Sequence, residues 1–177
     1  MNSSSSLYFN LETQRTANDA GGWYPEKMGV SVAVVLDGTQ TRIFTEKDIG
    51  ALAALLESAD QVIGYNLEGF DLKVLSGYPE INVGKIRRLD LLQGLQKAAE
   101  KRVMLWSAVE ATLGLTSESD GIQMVTCWKN GEIEKVIDHC TSVTRAIKSL
   151  HEYGREHGHV FYSPDEDGER HRLEVDW

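Results

Sequence analysis

Two short segments carry side chains suited to chemistry at close spacing. The first is Phe9-Asn10-Leu11-Glu12-Thr13, with an amide and a carboxylate two positions apart. The second is Gly64-Tyr65-Asn66-Leu67-Glu68-Gly69-Phe70-Asp71, which ends on another carboxylate. Carboxylate and amide oxygens are hard donors of the kind Mg²⁺ or Mn²⁺ collects in a near-octahedral shell. Each residue also has a plainer explanation. Glu12 suits the edge of a loop, Asp71 suits the first turn of a helix, where the helix dipole favours an acid, and Asn66 suits a turn or an N-cap. His139 is either a general base or, more simply, a partly buried helix residue. His151, His157, His159 and His171 show no metal-ligand spacing. Trp106 and Trp128 fall in apolar helical stripes and read as core, whereas Trp23, beside Gly21-Gly22, is free to stack on a base.

The elements that hold these segments follow from hydrophobic period. Ser6 to Leu11 is a β-favouring run that opens into the polar stretch Glu12 to Thr16. Val30 to Leu36 is nearly all apolar and β-branched, which fits a strand buried on both faces. Asp37-Gly38 marks a hairpin, and Thr41 to Phe44 returns beside it. Thr45 with Asp48 caps a helix that runs to about Ala59, and Gln61 to Tyr65 is the next strand. A strand, helix and strand in this order give a parallel crossover. Phe70 to Leu75 begins a helix, and helical spacing returns over Leu89–Ala99, Leu105–Leu113, Ile122–Trp128 and Glu132–His157, the last stopped by Gly158. His159–Tyr162 and Arg170–Val175, joined through Pro164-Asp165-Glu166-Asp167-Gly168, form a terminal hairpin. The expected architecture is α/β: three antiparallel strands, then parallel ones, flanked by helices, with all of 1–177 in one domain.

Composition narrows the function classes. No apolar run reaches the ~20 residues of a membrane span, and Met1 to Ser6 lacks the basic start and apolar stretch of a secretory signal. Two cysteines, Cys127 and Cys140, do not make a disulfide framework; free thiols fit a reducing cytoplasm. The net charge is −9. That argues against tight non-specific binding to duplex, which needs clustered cations to displace counterions. A narrow pocket for a strand end remains compatible with it.

The two chemical segments together resemble the first two motifs of DEDD-type 3′–5′ exonucleases in the ribonuclease-H-like superfamily. Those motifs are Asp-x-Glu on the first strand and Asn-x-x-x-Phe-Asp at a turn into a helix. With Ala111-Thr112-Leu113-Gly114-Leu115, Asp120-Gly121 and the closing Leu173-Glu174-Val175-Asp176-Trp177, nearly the whole chain resembles YprB-type ribonuclease-H-like proteins. The resemblance implies a mixed ribonuclease-H-like sheet and a pair of Mg²⁺ or Mn²⁺ ions. Two such ions activate a water and stabilise the departing 3′ oxygen. It also implies a nucleic-acid 3′ end as partner, single-stranded DNA or RNA, touched by Leu11, Thr13, Trp23, Asn66 and Phe70.

The chain departs from this pattern at two motifs. Asn10 stands where the bridging Asp belongs. The third motif, Tyr-x-x-x-Asp, becomes His139-Cys140-Thr141-Ser142-Val143, so Val143 offers no ligand atom and His139 replaces the tyrosine. Of four carboxylates only Glu12 and Asp71 remain. Four nearly cancel two divalent ions, whereas two leave roughly +2 uncompensated, so the metal pair is expected to bind weakly or not at all. Asp138 is rotated away by about 100° on a helix and Ser142 is neutral, so neither restores the set. Asp90 matches an acidic position of the YprB-type proteins and also suits a helix N-cap. Loss of a whole motif favours natural degeneration over a single disarming substitution at Asn10. Three functions follow: a degenerate exonuclease-like domain that binds nucleic acid, an active metal-dependent exonuclease with an altered ligand set, or a protein-interaction module.

Overall fold

A computed structural model describes residues 6–117, 120–164 and 169–177. Residues 1–5, on which the reading of the N-terminal stretch rests, and the turn expected at 165–168 lie outside the described residues. Five strands form one sheet in the order β3-β2-β1-β4-β5. They are β1 (Ser6–Thr13), β2 (Val30–Asp37), β3 (Gln40–Phe44), β4 (Gln61–Gly64) and β5 (Arg88–Asp90). β1 pairs antiparallel with β2, and β2 with β3, while β1–β4 and β4–β5 are parallel. The hairpin at Gly38 has its expected two-residue turn, with Asp37 opposite Gln40 and Gly38 at a φ of 59°. β1 runs on through Glu12 to Thr13, so Glu12 sits on the central strand rather than in the loop after it.

Alternation along β1 assigns the two faces of the sheet. Leu7, Phe9 and Leu11 join one core with α1 (Ile49–Ser58) and α2 (Leu72–Leu75). Tyr8 joins the opposite core with Met124 of α5 (Gly121–Lys129) and Val136, Cys140, Val143 and Ile147 of α6 (Ile133–His157). Asn10 and Glu12 share the parity of Tyr8, which turns them toward α6. A third cluster joins α3 (Leu91–Ala99) and α4 (Leu105–Leu113) to a separate antiparallel pair, β6 (His159–Tyr162) and β7 (His171–Glu174). Trp177 closes this end. Its indole Nε1 donates to the His151 carbonyl at 3.3 Å and its ring stacks on the His151 ring. A methyl group on Gly94 or Gly154 would lie within 2.8 or 2.6 Å of that indole, so both helices need glycine there.

One strand escaped the helical reading of Leu89 to Ala99. Arg88–Asp90 pairs with Val62–Gly64, and α3 starts only at Leu91. Three residues are too few to display a period, and Leu89 also fits the helical stripe that follows. Asp90 is the N-cap, as its position suggested, with Oδ1 accepting from Leu92 N at 3.1 Å. It also accepts from Asn66 N at 2.7 Å and from Glu68 N at 3.1 Å. One buried carboxylate thereby satisfies three backbone donors at the point where β4 ends. Asp90→Ala is expected to lower folding stability by about 3 kcal/mol, since each charge-assisted bond contributes about 1–2 kcal/mol and the donors stay buried. Asp90→Asn, which keeps one acceptor oxygen, should recover a large part of the loss in urea unfolding.

Candidate functional site

The site forms where β1 outruns β4. Pairing between the two stops at Tyr8 with Ile63, and beyond Gly64 the chain leaves the sheet through Asn66, held at a φ of 64°. Asn, among non-glycine residues, tolerates this left-handed conformation best. A single π-turn over Leu67–Asp71 follows before α2. It brings Asp71 back to β1, where Oδ1 accepts the Leu11 N–H at 3.2 Å. Leu11 therefore takes part through its backbone while its side chain packs in the core.

Two carboxylates meet in this fold. Glu12 is only 8% exposed and Asp71 4%. Burial is the main cause that pushes Glu12 from 4.5 to about 7; a hydrogen bond from Asn10 opposes the shift and the charge of Asp120 adds to it. Asp71 is pushed well above its usual value by burial, against the Leu11 N–H, with the charges of Glu12 and Asp90 adding to the rise. Burial thus shifts both acids toward their protonated forms. His139 Nε2 lies 3.5 Å from Glu12 Oε1, but burial lowers the imidazole's affinity for a proton. That distance is too long for a firm hydrogen bond, and the contact is not an ion pair at neutral pH.

The remaining motif positions are turned to structural tasks. Asn10 Nδ2 contacts Cys140 Sγ at 3.4 Å, and that thiol lies 3.4 Å from the Asn10 carbonyl oxygen. Val143 is buried in the core shared by the sheet and α6. Two carboxylates, an amide engaged with a thiol and an aliphatic side chain supply less charge than a pair of divalent ions calls for. Among the described residues no group of three or more His, Cys, Asp or Glu side chains is placed to hold a metal ion.

A cavity of about 510 Å³ opens beside Glu12 and is lined by Thr13, Trp23, Phe70, Asp120 and Ile122, among others. The Trp23 and Phe70 rings lie 5.8 Å apart at 32°, and Trp23 is 63% exposed. Of the expected substrate contacts, Thr13, Trp23 and Phe70 line this space, whereas Asn66 and Leu11 are not among its lining residues. His139 opens onto a neighbouring cavity instead. Trp106 and Trp128 pack against the core, as their stripes suggested.

Sequence reasoning missed Arg15, Asp120 and Ile122 as wall residues. Asp120 caps α5 in a reciprocal box, with Gln123 N donating to its carboxylate at 2.9 Å and its own N donating to Gln123 Oε1 at 3.2 Å. The Asp-x-x-Gln spacing was a legible signal for that helix start. The start of the helix lies close to Glu12, a Cβ at Gly121 falling 3.6 Å from Glu12 Oε2, an ordinary contact distance. Ile122, the first residue of the helical spacing over Ile122–Trp128, is 69% exposed and lines the cavity.

Comparison with solved structures gives the fold its wider setting. The family B DNA polymerase of the hyperthermophilic archaeon Pyrobaculum calidifontis matches at a TM-score of 0.68 and 16% identity, over 86% of this chain and 25% of the polymerase. The chain thus spans about a quarter of that protein. The E. coli ExoI–ssDNA complex in its zinc-bound form matches at 0.46 and 14% identity, over 87% of this chain and 43% of that one. Exonuclease I in complex with the inhibitor BCBP matches at 0.37 and 16% identity, over 56% and 31%. No family model and no curated protein matches the sequence. The sheet order, with the likeness to the polymerase structure, gives an α/β fold with a ribonuclease-H-like mixed sheet.

The buried acids make stability depend on pH. Glu12 keeps its proton longer in the folded state than in the unfolded one, so stability falls as pH rises from about 4.5 to about 7. Asp71 acts in the same direction. The Glu12 part amounts to at most about 3 kcal/mol. Glu12→Gln should flatten this slope when urea unfolding is followed across that range.

Proposed function

We propose that this chain is a degenerate DEDD-type exonuclease domain of the YprB kind that holds a single-stranded nucleic-acid 3′ end without cutting it at a family rate. The whole of 1–177 acts as the one domain. The observation that carries this reading is the cavity at the end of β1, where the Trp23–Phe70 aromatic pair stands beside the buried Glu12. Trp23 and Phe70 offer π surfaces that every base can use, and such stacking contributes about 1–3 kcal/mol per base. Glu12 and Asp71 stand at the metal positions, Asn10, His139 and Val143 at the altered ones. Any Mg²⁺ or Mn²⁺ that binds is weakly held. No described helix is long and apolar enough to cross a membrane, and the free thiols suit a cytoplasmic setting.

The altered-ligand enzyme is the second reading, favoured by Asp120 on the same cavity wall as Glu12. Incubation of 3′-labelled single strands with Mn²⁺ decides between them: no shortening is expected, and shortening abolished by Glu12→Ala would establish the enzyme instead. Fluorescence anisotropy with short oligonucleotides at low salt should give measurable binding that weakens about tenfold in Trp23→Ala. Complete absence of binding would favour a protein-interaction module.

A further inference from the structure

Resting on that reading, we propose that the Glu12 cavity selects strands whose 3′-terminal base is guanine, and that Asp120 is the residue that selects it. Asp120 belongs to none of the three metal motifs, yet it shares the cavity lining with Glu12, Trp23 and Phe70. An acid on the wall of a site for a polyanion is repulsive unless it meets hydrogen-bond donors. The four bases differ in the donors they bring.

Guanine alone presents two adjacent donors, N1–H and the 2-amino group, on its Watson–Crick edge. A carboxylate accepts such a pair side by side, as it accepts an arginine fork. Adenine and cytosine set one amino group beside a bare ring nitrogen, whose lone pair would face a carboxylate oxygen. Thymine and uracil flank a single N–H with two carbonyls, which a carboxylate repels. Single-stranded bases are read on this edge while an aromatic ring holds the face. The cavity supplies both parts. Trp23, 63% exposed, offers the ring. In the capping box Asp120 Oδ1 takes the Gln123 N–H at 2.9 Å. A carboxylate has about four acceptor positions, so room remains for two more donors. The lining also holds donors, Arg15 and Asn18, on the loop after β1. Arg15 gives an N–H to the Lys27 carbonyl at 3.0 Å, and its guanidinium carries further donors suited to guanine O6 and N7.

Hexathymidylate labelled on a central thymine, with its 3′ base changed to guanine, adenine or cytosine, tests this by anisotropy. The guanine-ended strand is expected to bind at least about tenfold tighter than the other three. Hypoxanthine, which lacks the 2-amino group, should lose most of that gain without any change to the protein. Asp120→Asn keeps a good N-cap for α5 but exchanges an acceptor for a donor, so the preference should collapse to within about threefold while helical circular dichroism is retained. A guanine moved to the 5′ end should bring no gain. Equal affinity for all four 3′ bases, a preference that survives Asp120→Asn, or the same gain from a 5′ guanine overturns the selectivity. Equal affinities that still fall in Trp23→Ala leave the cavity reading intact, whereas binding of no strand removes both.

Discussion

A strand that outlasts its neighbour leaves backbone donors without partners, and this chain closes that gap with buried carboxylates. β4 leaves the sheet after Gly64, while β1 continues to Thr13. The Leu11 N–H would then be an unpaired donor in a protein interior, which is costly. Asp71 meets it from β1's side, and Asp90 collects Asn66 N and Glu68 N from the departing chain. The left-handed Asn66 and the π-turn are the backbone path that lets both contacts exist together. Position and charge are thus tied: the acid that completes the strand is also the acid that faces Glu12.

The same burial acts on the protons of the two acids. A dry interior favours the protonated acid, while an accepted N–H or an arriving cation favours the anion. The Leu11 N–H on Asp71 and the Asn10 amide on Glu12 work against burial, and burial outweighs them. Beside these acids the cavity is walled by Trp23, Phe70 and Ile122. Aromatic and hydroxyl chemistry then governs what fits beside it.

Much of this was legible in the residues. The β-branched run at Val30, the Gly38 hairpin, the Thr45 start and the Gly158 stop each depend on neighbours close in sequence, and each stands where its local signal placed it. The face to which Glu12 points also follows from counting along β1. What could not be read depends on partners far along the chain. β5 is too short to carry a period and is a strand only because β4 lies beside it. Ile122 opens a run of helical spacing, and only the placement of α5 beside Glu12 makes it a cavity wall. That Asn10 bonds a thiol, rather than reaching into open space, is decided by Cys140 on a helix 130 residues away.

The wedge at the far end of the molecule joins the tail to the central strand. Trp177 donates to the His151 carbonyl, and the His151 ring shares a proton with the Tyr8 hydroxyl at 2.9 Å, two residues before Asn10. The indole thus sits at one end of a short relay whose other end is the strand that carries Glu12. In a variant that keeps Trp177 as its only tryptophan, indole emission would report on β1 from outside the cavity.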